Sequence, residues 1–128
     1  MPHVEVLKSV PAAPDELWAR IGGFHTFSEW HPAIERQTAD GGREVRELHL
    51  VGGGTVVETL LDERPQSYTY RIDESPLPVA DYTATISLEG SGDGSTVTWI
   101  ADFVSDGATD EEACAVIEGI FRSGLDAL

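Results

Sequence analysis

The stretch TDEEACAVIEGIFRSGLDAL, residues 109–128, decides the fold. Thr109 stands where a helix N-cap belongs, and Asp110, Glu111 and Glu112 follow in the first turn, where the helix dipole favours negative charge. Behind them Ala113, Val116, Ile117, Ile120, Phe121, Leu125 and Leu128 recur at steps of three and four, a continuous apolar stripe along one helix. It is the one long helix that the sequence offers, and its stripe must be covered by something broad.

That cover lies upstream, where the hydrophobic period changes to two. Residues 3–10 alternate, with Val4, Val6 and Lys8 on one side and Glu5, Leu7 and Ser9 on the other, before Pro11 and Pro14 close the strand. From Ile34 onward, extended runs at 43–51, 55–63, 67–73, 80–89 and 95–104 are separated by turn residues: Asp40-Gly41-Gly42, Gly52-Gly53-Gly54, Arg64-Pro65-Gln66, the Ser75-Pro76-Leu77-Pro78 stretch, and 90–94. Between strand and meander sit two short helices. One opens at Ala13-Pro14-Asp15-Glu16, carries Leu17, Trp18 and Ile21, and stops at Gly22-Gly23; the other spans 24–30, with Phe24, Phe27 and Trp30 inward, and ends before Pro32. The order strand, two short helices, meander, long helix is an α+β layout: a curved antiparallel sheet of six to seven strands wrapped around the C-terminal helix.

Each run nominates an inward face. For the last three these are Tyr68, Tyr70 and Ile72; Tyr82, Ala84, Ile86 and Leu88; and Val97, Trp99, Ala101 and Phe103. A sheet curled this tightly has more concave surface than Val116, Ile120 and Phe121 can fill, and the small residues Ala84, Ala101, Ala113 and Gly119 widen the gap. An internal cavity follows. The register of the hairpin at Gly52-Gly53-Gly54 decides whether charges enter it. If the loop is the three glycines, Val51 faces Thr55, and Arg46, Leu48 and Leu50 share a face with Val56, Glu58 and Leu60. A two-residue turn instead sets Arg46 beside Thr59 and leaves Glu58 outside. The first register joins one Arg to one Glu, the way a buried charge survives leaving water.

Composition narrows the function. The 128 residues hold 23 acids against 8 Lys and Arg, a net charge of -15 that repels nucleic-acid phosphate and anionic membranes. The length fits one domain, 1–128. A single cysteine, Cys114, forms no internal disulfide and has no basic sequence neighbour to activate its thiol. With no signal-like start and no long apolar run, the expectation is a cytoplasmic protein that does not insert in membranes. His3, His25, His31 and His49 show no metal-ligand spacing, and no Gly-x-Ser-x-Gly motif occurs, so neither metal nor cofactor is expected.

The order of elements, with Ala13-Pro14-x-x-Leu17-Trp18, Trp30-His31-Pro32, Val45-Arg46-x-Leu48-x-Leu50, Glu58, Tyr70, Pro76-Leu77-Pro78-Val79 and Gly124-Leu125-x-x-Leu128, resembles the SRPBCC superfamily across essentially the whole chain. That grouping takes in START-like lipid-transfer domains, the birch-pollen-allergen fold and small bacterial polyketide cyclase/dehydrase and lipid-transport proteins. The resemblance implies a helix-grip fold with a deep hydrophobic cavity, and no single reaction, because one fold hosts many functions.

The residues then support two readings. In the first, the protein binds or carries a small apolar molecule, aromatic, lipid or polyketide-like, held by Trp30, Leu48, Tyr70, Tyr82, Trp99, Phe103 and Phe121 and oriented by Arg46 and Glu58. In the second it is a cofactor-free cyclase or dehydratase in which His31 or Glu58 moves a proton. His31 equally serves as a structural cap of the second short helix, and Pro76-Leu77-Pro78 is either a rim or a plain connection. A regulatory interaction module would need an exposed apolar patch, which the outward sets do not offer. Beyond the small ligand, the one partner left open is a second copy in a homodimer.

Overall fold

A computed structural model describes residues 2–39 and 44–128. In chain order it contains β1 (His3–Val10), α1 (Pro14–Ile21), a 3₁₀ helix (Phe24–Glu29), β2 (Ile34–Thr38), β3 (Val45–Leu50), β4 (Thr55–Arg64), β5 (Ser67–Glu74), β6 (Val79–Ser91), β7 (Gly94–Ser105) and α2 (Asp110–Leu125). The seven strands form one antiparallel sheet ordered β1-β7-β6-β5-β4-β3-β2, so the first strand pairs with the last and the meander runs outward from there. β2 is the strand beyond the runs named from sequence. Its buried Ile34 is followed by exposed Glu35 and Arg36, which gives it little alternation to read. The turn expected at Asp40-Gly41-Gly42, like Arg43, lies outside the described residues.

The two short helices form for local reasons. α1 starts on Pro14 with Asp15 and Glu16 in its first turn and buries Leu17 and Ile21. The three-residue spacing of Phe24, Phe27 and Trp30 matches one turn of 3₁₀ helix, which turns all three rings inward. α2 opens with a full capping box: Glu112 N–H donates to Thr109 Oγ1 at 3.1 Å, and Thr109 N–H donates to Glu112 Oε1 at 3.1 Å.

α2 lies across β1 and β7, and the contact is narrower than the stripe suggests. Ala113, Ile117, Phe121 and Leu125, four residues apart, are buried, while Val116 is 38% exposed. Val116 sits about 100° round the helix from Ile117, off the row of residues that α2 buries. Gly119 does not widen the gap either, since it lies on the exposed face with open space around it. The glycine that matters is Gly124, where an added Cβ would stand 2.5 Å from His31 Cδ2 and 3.2 Å from Trp30 Cζ3. It lets α2 come down onto the loop that follows the 3₁₀ helix.

The β3–β4 hairpin corrects one expectation and keeps another. Its ladder pairs His49 with Thr55 and Arg46 with Glu58, and Leu50 N–H donates to the Gly54 carbonyl at 3.0 Å. The loop is therefore Val51-Gly52-Gly53, not the three glycines, and Val51 does not face Thr55. The offset is an even number of residues, so Arg46, Leu48, Val56 and Glu58 still share the inner face. Gly52, Gly53 and Gly54 all have positive φ, at 89, 107 and 100°, so many sharp paths round the loop were open to them.

Irregularities curl the sheet further. The β4–β5 ladder shifts register beside Glu58 and again around Leu61, which is left 47% exposed, and β6 shifts around Asp81, whose φ is 50°. The large exposed apolar side chains, Leu7, Val51, Leu61, Val104 and Val116, sit on five separate segments. On the surface, Lys8, Arg64, Arg71 and Arg122 each pair with an acid, respectively Asp126, Asp62, Asp73 and Glu118.

The two helix glycines separate propensity from packing. Gly119→Ala should raise stability by about 0.5–1 kcal/mol, because a helix interior favours alanine. Gly124→Ala should lower it by about 1–3 kcal/mol despite the same propensity gain, because its methyl meets a buried ring. Urea denaturation of both variants checks the pair, and a Gly124→Ala protein as stable as the wild type would contradict the close approach.

Candidate functional site

Between α2 and the curled half of the sheet lies a cavity of about 150 Å³. Ile117, Ile120 and Phe121 of α2 close one side; Leu48, Val56, Glu58, Tyr70 and Tyr82 from β3 to β6 form the other; Trp99 of β7 backs it. Val51 and Leu77 border it from the two connecting loops. Pro76-Leu77-Pro78 is thus both connection and rim. The deep cavity implied by resemblance is compact in this chain, because aromatic side chains fill the space. Trp99 stacks on Phe121 with centroids 4.2 Å apart, and Tyr82 stacks on Phe103 at 5.9 Å. The buried small residues Ala84, Ala101 and Ala113 do not border the space.

Behind the cavity wall is a buried ion pair. Arg46 is fully buried, and its guanidinium lies 4.2 Å from the Phe24 ring centroid, 4.3 Å from Phe27, 4.9 Å from Tyr70 and 5.6 Å from Tyr68. Nη1 donates to the Phe24 carbonyl at 3.0 Å and to the Tyr68 hydroxyl at 3.3 Å. Nε donates to Glu58 Oε1 at 2.7 Å, and Nη2 stands 2.6 Å from that same oxygen but off its hydrogen-bond line. Among the described residues Glu58 Oε2 has no protein partner. Burial works against the Arg46 charge, but Tyr68, Glu58 and Tyr70 outweigh it and raise its pKa, so the group stays a cation. Burial lifts the Glu58 carboxyl above its ordinary range while Arg46 pulls it back. Protonating Glu58 would leave Arg46 an uncompensated buried charge, and we therefore describe Glu58 as its counter-ion.

Two phenols complete the polar wall. Tyr70 accepts a hydrogen bond from Trp99 Nε1 at 3.1 Å and is hydrogen-bonded to the Tyr82 hydroxyl, so the two linked phenols keep one O–H between them to donate. Burial, then Tyr82 and Glu58, raise the Tyr70 pKa well above that of a free phenol, and burial followed by Glu58 raises that of Tyr82. Both remain protonated donors at neutral pH.

The residues nominated from sequence divide into two groups. Leu48, Glu58, Tyr70, Tyr82, Trp99 and Phe121 border the cavity. Trp30, Arg46, Phe103 and His31 do not. Trp30 is buried against Phe27 and Trp99, and its Nε1 has no hydrogen-bond partner among the described residues. Phe103 lies behind Tyr82. His31 is buried, with Nε2 donating to the Ile120 carbonyl at 2.8 Å and Nδ1 accepting from Ala33 N–H at 3.1 Å. These partners fix the neutral Nε2–H tautomer and leave neither nitrogen for a ligand. Burial lowers its pKa, the Ile120 hydrogen bond opposes that, and Arg46 adds to it. Sequence reading missed Phe27, Ile34 and Ile117 as lining residues. Phe27 lies in the short helix read as packing, Ile34 stood only at the start of the meander with no face assigned, and Ile117 was in the helix stripe without being assigned to the wall.

Two outcomes follow. Arg46→Met and Glu58→Leu should each cost about 3–5 kcal/mol, while the double variant should cost much less than their sum, because it removes both charges. Denaturant unfolding of the four proteins measures the coupling, and strict additivity would argue against the pair. A His31 pKa depressed below the ordinary 6.5 means stability present above that value and lost as pH falls through the folded pKa. Imidazole nitrogen NMR should therefore show His31 Nε2-protonated and neutral at neutral pH, with a titration midpoint below 6.5; a midpoint at or above 6.5 would refute the backbone-locked ring.

Comparison with known proteins agrees with this architecture. Residues 1–128 match the family model described as polyketide cyclase / dehydrase and lipid transport. XoxI of Bacillus cereus is 34% identical, with a TM-score of 0.94 over 99% of this chain and 92% of that one. The Zhui aromatase/cyclase from Streptomyces sp. R1128, 22% identical, shares the fold with a TM-score of 0.78 over 98% of this chain and 89% of its own. Abscisic acid receptor PYL10 of Arabidopsis thaliana is 29% identical over 137 residues, covering 96% of this chain and 75% of the receptor. With the whole length inside the family model and the helix-grip fold shared, the chain belongs to the polyketide cyclase / dehydrase and lipid transport family.

Proposed function

We propose that residues 1–128 act as one domain that binds a small, mostly apolar molecule in the cavity between α2 and the sheet. The observation that carries this reading is the cavity itself: a space of about 150 Å³ walled by aliphatic and aromatic side chains, with the few polar groups Glu58, Tyr70 and Tyr82 set into one wall. Apolar walls supply affinity by removing ligand surface from water, and a few placed polar groups fix orientation. Arg46 acts at one remove. It holds Glu58 in place and does not touch the ligand.

One observation favours a second reading. Glu58 has one oxygen without a protein partner and a carboxyl made more basic by burial, the properties of a group that accepts a proton from a bound substrate. A cyclase- or dehydratase-type proton transfer would rest on Glu58, because both His31 nitrogens are bonded to backbone. A cytoplasmic location is part of the reading, supported by the single, half-buried cysteine. The net charge of -15 supports leaving nucleic acid aside.

Native mass spectrometry of the purified protein, followed by denaturation and identification of whatever is released, tests the reading. The expected result is about one apolar molecule per chain, whose re-addition quenches tryptophan fluorescence through Trp99; the same spectrum counts chain copies. A protein that arrives empty and ignores aromatic, fatty and polyketide-like ligands would refute the binding function. If the released compound is turned over, Glu58→Gln should abolish turnover with affinity roughly kept in the enzyme reading.

A further inference from the structure

The cavity wall has a sign. Of the two buried charges, Glu58 borders the space, whereas Arg46 lies behind it between Phe24 and Phe27, with its nitrogens turned to Glu58 Oε1, the Phe24 carbonyl and the Tyr68 hydroxyl. An entering carboxylate meets a carboxylate, and it reaches the guanidinium only by breaking that ion pair. The surface adds to the exclusion, because a net charge of -15 repels anions before they arrive.

The polar side chains that border the space are complementary to a different group. Tyr70 accepts from Trp99 Nε1–H and is hydrogen-bonded to Tyr82, so this pair of phenols keeps one hydrogen to donate; Glu58 keeps Oε2 to accept. Glu58 pairs with Ile72 and Leu60 with Tyr70 on the β4–β5 ladder, which makes Glu58 and Tyr70 diagonal neighbours across adjacent strands. A hydroxyl donates and accepts at once, and so satisfies both. Size sets the remainder of the molecule. A largely apolar space of about 150 Å³ holds a single aromatic ring, and the stacked pair Trp99 and Phe121 forms part of its wall.

We infer that the occupant is a neutral one-ring aromatic bearing a hydroxyl, a phenol or benzylic alcohol, with that hydroxyl between Glu58 and the linked Tyr70 and Tyr82 phenols, and that the cavity rejects carboxylates. The inference rests on the binding function proposed above and specifies its ligand class.

Titration of the intact protein at neutral pH with p-cresol, toluene, p-toluate and decanoate, read by tryptophan fluorescence and calorimetry, tests it. p-Cresol should bind at least about tenfold more tightly than toluene, since a hydrogen bond to a charged group is worth that much or more. p-Toluate should bind more weakly than toluene. Toluene equal to p-cresol would overturn the hydroxyl recognition, and p-toluate or decanoate binding best would overturn the charge selection; in either case the cavity-binding function survives. No binding by any of the four would overturn both. Glu58→Gln should narrow the gap between p-cresol and p-toluate. Should that variant fail to fold for want of a counter-ion, Tyr70→Phe, which should weaken p-cresol and spare toluene, stands in for it beside the wild-type panel.

Discussion

A guanidinium that is wholly out of water has to find compensation on every side, and in this protein Arg46 finds it in pieces drawn from separate elements. Two ring faces and a carbonyl come from the 3₁₀ helix, two more rings from β5, and the counter-charge from β4. None of these groups is near Arg46 in sequence, so the cation is satisfied only when β3, β4, β5 and the 3₁₀ helix have all arrived in one arrangement. Any slip of the β3–β4 register by one residue would carry Arg46 or Glu58 to the outer face and leave the other buried alone. The ion pair therefore acts in the same direction as the hydrophobic pattern, since the slip that separates the charges would also turn Leu48 or Val56 outward. It adds specificity more than net stability, because its desolvation cost consumes much of its attraction.

The same arrangement determines what is left empty. Phe27 is both a face of the Arg46 cage and part of the cavity wall, and Glu58 is both counter-ion and wall. The helix is held from the other side, where His31 bonds the Ile120 carbonyl and Gly124 admits the imidazole ring. Ile120 itself borders the cavity. The space is thus bounded by groups already committed elsewhere, and its shape is set by interactions that do not involve a ligand. Preorganisation of this kind reduces the ordering cost that binding would otherwise carry.

Much of the fold was legible in the sequence because it rests on periodicities that one strand or one helix declares alone. β1 reads directly from Val4 and Val6, and α2 from its cap and stripe. What was not legible depends on how elements meet. Three consecutive glycines accept so many backbone paths that the β3–β4 loop could not be counted from them, although the Arg46 and Glu58 charges pointed to the shared face. Val116 fits the helical stripe as well as Ile117 does, yet the docked helix buries Ile117 and leaves Val116 exposed, a difference that the spacing alone does not carry. The site was half visible for the same reason. Tyr70, Tyr82 and Trp99 follow from strand alternation, whereas Trp30 and Phe103, equally aromatic and inward, do not reach the space, a difference that depends on how the elements pack.

The surface ion pairs described for the fold have a consequence for the medium around the protein. Lys8, Arg64, Arg71 and Arg122 already have acidic neighbours, yet the chain still carries fifteen more acids than bases. That surplus has no answer within the molecule and must draw its neutralising cations from solution. Folding concentrates these carboxylates, so dissolved ions that shorten the range of their mutual repulsion favour the compact chain. The stability of this protein is in that sense shared with the electrolyte it is dissolved in.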